Sequence, residues 1–220
     1  MSGPTVTGLT GLTLEDAPAV CQGCTWWQSR PGREVDKRAI PRTKKTAARR
    51  KWIEKAETEW GPEGTVYYDA EGRLLGSMQY GPAELFPRAS ELPAGPPSDD
   101  AVLVTCAFLV QQSSPWVMQS LFLAAIGDAR DKGAKALEMF AYRYREGESQ
   151  YERFQVHKTI FSADFLADLG FQPIRRADLV ELARLDFGGL EPVVEGTREK
   201  VLRVVKEALA PAPAPVPPGF

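Results

Sequence analysis

The sequence contains few residues of the kinds that cross-link a chain, bind metals or span membranes. Its 220 residues include three cysteines and one histidine. An odd cysteine count, with Cys21 and Cys24 only three residues apart, argues against a disulfide framework. No run approaches the ~20 apolar residues that a membrane span needs, and the first residues lack the basic and apolar regions of a signal peptide. These absences predict a cytoplasmic protein with free thiols.

The composition is that of an ordinary globular protein, but the charge is unevenly distributed. Apolar residues make up 43% and charged residues 25%. Residues 30–55 hold eleven Lys and Arg against three acids, a local charge of +8, and because the net charge is −2 the remainder carries about −10. This asymmetry favours an anionic partner, with a phosphorylated cofactor, a nucleic acid and an acidic protein as the alternatives. The basic run 42–51 lacks interleaved aromatics, so a solvated helix face is favoured there over a nucleic-acid surface.

The hydrophobic patterns predict one mixed α/β domain over residues 10–187. A flexible N-terminus is expected over 1–9, a helical extension over 188–209 and a disordered Pro/Ala tail over 210–220. The amphipathic helix within the extension offers a surface for a homodimer. The predicted elements within the domain are a strand near 10–16, a helix from Pro18, a helix over 44–60, a hairpin over 65–82, an exposed proline-rich loop over 82–100, a strand over 101–110, a helix over 115–133, a strand over 135–142, a short helix within 161–171 and one or two strands over 177–187.

The most informative segment is the strand, helix and strand across residues 102–142. Such a unit joins two parallel strands and directs the N-terminus of its helix at one point. The free N–H groups and partial positive charge of a helix N-terminus suit a pyrophosphate. The end of the first strand, residues 108–110, offers backbone groups to an extended amide-bearing ligand.

This layout resembles the GNAT superfamily of acyl-CoA-dependent N-acetyltransferases over residues 10–187. The resemblance rests on the apolar strand followed by a turn and helix start, and on a later helix that ends in Asp168-Leu169-Gly170-Phe171. The segment CQGCTWW resembles a branch with a Cys-rich, Trp-Trp first helix. The resemblance implies a GNAT-like sheet with helices on both faces, and transfer of an acetyl group from acetyl-CoA to a small-molecule or protein amine by direct attack. It places the cosubstrate on Phe108, Leu109, Val110, Ser113, Ser114, Pro115, Trp116, Val117 and Met118.

The sequence departs from the family pattern at two points. The turn and helix start have no glycine, where the family places glycines against the phosphates. Leu166 stands where many members have a tyrosine that protonates the leaving thiolate, which leaves Thr159, Tyr142 and Tyr144 as candidate donors. These departures support the alternative of a non-catalytic acyl-CoA-binding or scaffold protein.

Four soft ligands are present, but their spacing is unlike that of a zinc site. Cys21 and Cys24 form one close pair, whereas Cys106 lies in an apolar strand and His157 in a charged connection. A closed zinc site needs all four around one point. The sequence therefore predicts no bound metal, and a role for His157 as a general base stays a minor alternative.

Overall fold

A computed structural model describes residues 3–29, 40–110, 115–144 and 161–189. Several predicted features lie outside these residues: Ser113, Ser114, His157, Thr159, the C-terminal helix and the Pro/Ala tail.

The described chain is built on one eight-stranded mixed sheet, in the order β1-β2-β3-β4-β5-β8-β7, with β6 paired to β5. The β4–β5 and β5–β6 pairs are parallel and the other pairs are antiparallel. This sheet confirms the predicted fold class. It includes the predicted parallel pair, β4 and β5, whose strands are connected by a helix. The strands are β1 Thr5–Gly8, β2 Gly64–Tyr68, β3 Leu74–Pro82, β4 Ala101–Leu109, β5 Ala136–Tyr142, β6 Phe161–Ser162, β7 Gln172–Ala177 and β8 Val180–Asp186.

Helices cover both faces of the sheet, as predicted. One face packs against the helix that follows β4 and the short helix that follows β6. The opposite face packs against the second helix of the chain and the segment before it that contains Trp26 and Trp27. No helix in the described ranges is long and apolar enough to cross a bilayer. The α-helices are α1 Ala19–Gln22, α2 Arg42–Glu59, α3 Pro115–Asp131 and α4 Ala163–Asp168.

Helix α2 has its charges in an unusual order. Residues 42–51 contain six Lys and Arg and no acid, whereas residues 52–59 contain three Glu and one Lys. The first turn has no acidic residue, the last turn has no basic one, and no side chain caps the N-terminus. Of the ten residues at the basic end, Arg49 is the one that is buried.

Three local predictions are corrected by the structure. Residues Thr5–Gly8, in the segment expected to be flexible, form edge strand β1 against β2. The strand predicted near 10–16 is instead a 3₁₀ turn over Thr13–Asp16, and the helix from Pro18 is the single turn α1. A run of threonines and glycines carries no clear period, so pairing with β2 decides this region.

The proline-rich segment is not an exposed loop. It forms two 3₁₀ turns, Ala83–Leu85 and Pro87–Glu91, that bury Phe86, Ala89 and Ala94. These residues pack with Trp27 and other core residues on one face of the sheet. The segment therefore forms part of the core because its few apolar residues are spaced to face the same way.

Candidate functional site

The sheet is forked between β4 and β5. The two strands pair over four residues each, Ala101–Val104 of β4 with residues 136–139 of β5. Beyond that point β4 stays with β3, and β5 stays with β8. Strand β6 pairs with Ala141 and Tyr142 of β5. Since β8 occupies the opposite edge of the same residues, β6 lies on the edge of β5 that faces the fork.

A β-bulge accounts for the position of the fork. On β3, Gln79 and Tyr80 are consecutive, but their partners on β4 are Cys106 and Val104, so Thr105 is an extra residue. A bulge bends its strand and disrupts pairing locally. The parallel pairing with β5 ends at Val104, immediately before the bulge. The buried Thr105 hydroxyl donates to the backbone oxygen of Gln79 at 3.3 Å.

Past the bulge, β4 directs backbone groups into the fork. The Val110 N–H donates to the Leu75 oxygen of β3 at 2.9 Å. Peptide groups alternate in direction along a strand, so those of Ala107 and Leu109 point the other way, into the fork. Among the described strands, none pairs with this edge of β4. Ala107 and Leu109 are partly buried, as are Phe161 and Phe165 beyond the fork. The fork therefore combines backbone groups that pair with none of the described strands and apolar side chains.

Helix α3 begins close to the end of β4. Trp116 is 47% exposed and its ring lies edge-on to Tyr67, whereas Val117 is fully buried and Met118 partly buried. Gly76 of β3 makes this close approach feasible, because a Cβ there would lie 2.9 Å from Leu109 Cδ2 and 3.0 Å from Val117 Cγ1. The structure thus brings Phe108, Leu109 and the first turn of α3 to one end of the sheet.

The candidate proton donors are only partly placed. Tyr142 is buried at the end of β5, with its ring centroid 5.5 Å from that of Tyr144. Leu166, which the sequence resemblance places where a tyrosine is expected, is 1% exposed and packs in the core that contains Phe171. Leu166 therefore lies in the packed interior rather than at a solvent-accessible site.

All three cysteines are free thiols, and burial suppresses the reactivity of Cys21 and Cys106. Burial raises the pKa of Cys106 to about 12, and burial followed by the neighbouring Cys24 raises the pKa of Cys21. Thiolates are the nucleophilic and metal-binding form of cysteine. In the described ranges, which omit His157, no three His, Cys, Asp or Glu side chains are grouped to hold a metal ion.

A buried polar cluster lies beside the bulge, and no local sequence pattern predicts it. Arg49 of α2 donates from Nη2 to Glu63 Oε1 at 2.7 Å, and Gln79 donates from Nε2 to Glu63 Oε2 at 3.1 Å. Burial raises the pKa of Glu63 to about 8; Arg49 and the Gln79 amide lower it by less. A Gln within an apolar strand was the available signal, but its partners are distant in sequence.

Comparisons with known proteins give matches among solved structures. No protein-family model matches the chain, and no curated protein matches it. Similar structures include the PaiA N-acetyltransferase from Thermoplasma acidophilum in complex with coenzyme A (12% identity, TM-score 0.49, 84% of this chain and 99% of that one). Others are an N-acetyltransferase from Staphylococcus aureus Mu50 (13%, 0.45, 84% and 99%) and a protein from Desulfovibrio desulfuricans assigned to the GNAT family of acetyltransferases (13%, 0.45, 83% and 98%). At these identities the likeness is one of fold.

Proposed function

We propose that the protein binds acetyl-CoA in the fork between β4 and β5 and transfers its acetyl group to an amine. The observation that carries the proposal is the open edge of β4, where the peptide groups of Ala107 and Leu109 face the fork. The pantetheine arm of acetyl-CoA contains amides, and an extended amide-bearing ligand can pair with such an edge as an added strand. The partly buried apolar side chains around the fork suit its methylene groups.

The first turn of α3 is the proposed site of the pyrophosphate. Free N–H groups at a helix N-terminus attract phosphates. Pro115 has no N–H, so Trp116 and Val117 are the described residues that have a free N–H in this turn, and Met118 follows them. Because no glycine allows closer approach here, we expect weaker binding, with a Kd on the order of 10–100 μM, or about −7 to −5.5 kcal/mol.

The proposed reaction is direct attack of a neutral amine on the thioester. A C–N bond forms, the C–S bond breaks, CoA leaves as the thiol or thiolate, and the amine loses one proton. A thiol of pKa ~8.5 leaves as thiolate at pH 7 at a cost of about 2 kcal/mol, whereas holding the reactants together contributes roughly 7–11 kcal/mol. Positioning therefore outweighs the missing tyrosine. Tyr142, Tyr144 and Thr159 are the proposed substitute donors.

Calorimetry with acetyl-CoA tests the binding site. Ala107→Pro removes one N–H that faces the fork, and proline is tolerated where an edge strand faces away from its neighbour. We expect this variant to raise the Kd for acetyl-CoA at least tenfold. Ala107→Gly is the matched control, because it changes the same residue and keeps the N–H. Absence of binding by the unaltered protein at millimolar acetyl-CoA would overturn the proposal.

A non-catalytic acyl-CoA-binding protein is the second candidate. It is favoured by the lack of glycine at the start of α3 and by the burial of Leu166 in the core. Product analysis with a panel of amines separates the two functions. Acetyl-CoA binding without acetylation of any amine would favour the second one.

A further inference from the structure

A continuous series of buried polar contacts runs from helix α2 to the bulge of β4. Arg49 contacts Glu63, Glu63 contacts the side chain of Gln79, and the backbone oxygen of Gln79 accepts from the Thr105 hydroxyl, at 2.7, 3.1 and 3.3 Å. Glu63 and Thr105 are fully buried, and Arg49 is 4% exposed. The series therefore ends on the residue that interrupts β4.

The bulge decides which groups of β4 face the fork. Without the extra residue, the second half of β4 would shift by one position against β3, and a one-residue shift turns every side chain to the opposite face. The direction of each peptide group would be reversed in the same way. Cys106 and Phe108, rather than Ala107 and Leu109, would then direct their amides into the fork.

A stabilising role alone is an insufficient explanation for this cluster. A buried Arg–Glu contact seldom stabilises a fold more than well-packed apolar residues of similar size do, although loss of one partner is costly. In addition, Nε and Nη1 of Arg49 have no hydrogen-bond partner in the described structure. A buried polar cluster of this kind is well suited to fixing one geometry.

We propose that Arg49, Glu63 and Gln79 are positioning residues that hold the bulge at Thr105 and so fix which amides of β4 face the fork. The part of this inference that concerns acetyl-CoA rests on the proposed function. The part that concerns β4 does not. Through the same contacts, a displacement of α2 would be transmitted to the bulge, which links the helix to the fork.

The chain contains a matched control pair in another part of the sheet. Arg184 of β8 donates to Glu138 of β5 at 3.0 Å, and Glu138 is fully buried, as Glu63 is. Arg184 also donates to Asp100, which directly precedes β4, and to Asp186, each at 2.8 Å. This pair lies before the point where β4 and β5 separate. Arg49→Gln and Arg184→Gln therefore each remove the arginine from a buried glutamate, but only the first removes a contact of the series that ends at Thr105.

Hydrogen exchange of the full chain without ligand is the first test. In Arg49→Gln, we expect peptides that cover residues 104–110 to exchange at least tenfold faster, with β7 and β8 changed less than twofold. In Arg184→Gln, we expect residues 104–110 to change less than twofold. Equal acceleration of residues 104–110 in both variants, or none in Arg49→Gln, would overturn the proposal.

Acetyl-CoA kinetics and binding are the second test. Arg49→Gln should raise the Kd and the KM for acetyl-CoA at least fivefold with kcat changed less than twofold, because ground-state binding is what the fork geometry controls. Arg184→Gln should leave the Kd within twofold. If the unaltered protein binds no acetyl-CoA, the proposed function fails while the exchange comparison still decides the role of the cluster.

Thr105→Val keeps the experiment decisive if Arg49→Gln does not fold. It removes one hydroxyl and nearly preserves the shape of the side chain. We expect exchange over residues 104–110 to rise about threefold. An unchanged exchange rate in Thr105→Val would show that the hydroxyl does not hold the bulge and would contradict the proposal.

Discussion

Glu63 should make the stability of the protein fall as the pH rises. Its pKa in the folded protein is about 8, against an ordinary value of 4.5. Between these values the folded state holds a proton that the unfolded state has released, so the free energy of unfolding decreases with rising pH. The contribution is fully present below about pH 4.5 and is lost by about pH 8. Each pH unit corresponds to ~1.4 kcal/mol, so the window of about 3.5 units amounts to about 5 kcal/mol at most.

Urea denaturation of the unaltered protein and Glu63→Gln tests this directly. Glutamine resembles the protonated glutamate and cannot ionise. We expect the free energy of unfolding of the unaltered protein to fall by about 3 kcal/mol relative to the variant between pH 5.5 and pH 8. The difference should persist at 0.5 M salt, because buried groups are screened little. Parallel pH curves for the two proteins would show that Glu63 is ionised throughout as the partner of Arg49, and that burial does not dominate.

Three further results are expected. Gly76→Val should destabilise the protein by about 1–3 kcal/mol in thermal denaturation, because its Cβ would lie 2.9 Å from Leu109 Cδ2; an unchanged Tm would mean that β3 and β4 separate easily. Leu166→Tyr should cost about 1–3 kcal/mol through overpacking while changing the acetylation rate less than about tenfold; a gain of ~100-fold would show that an acid was limiting. Acetylation of an amine of pKa ~10.4 should accelerate about tenfold per unit from pH 7 to 9, since only about one molecule in 2,500 is neutral at pH 7; a rate independent of pH would point to a step other than amine attack.

Local patterns predicted most of the sheet and the strand-helix-strand unit that borders the fork. Three of these patterns are recognisable within ten to twenty residues each: the unbroken apolar run of β4, the helix after Pro115 and the apolar run of β5. Together they define a parallel pair of strands. The likeness to acyl-CoA-dependent acetyltransferases followed from the same segment. These features depend on neighbours in sequence.

The bulge and the polar cluster depend on residues far apart in sequence. Thr105 is an extra residue only with respect to its pairing with β3, and nothing in its own strand marks it as one. In the sequence, Arg49 is indistinguishable from the other cations of a basic helix, and only the folded sheet places it beside Glu63. The pairing of β1 and the burial of Phe86 were missed for the same reason, because each is decided by a surface contributed by other segments.

The order of charges along α2 has a consequence for how the molecule opens. A helix has a partial positive charge at its N-terminus, so cations there and anions at its C-terminus each oppose it by roughly 0.3–1 kcal/mol at low ionic strength. Helix α2 therefore has little tendency to form by itself and depends on contacts such as Arg49 with Glu63 and the burial of Ile53 and Ala56. It should be among the first segments to detach in local unfolding and to be cut by proteases. Added salt screens the unfavourable charges, so α2 should become more resistant to cleavage as ionic strength rises.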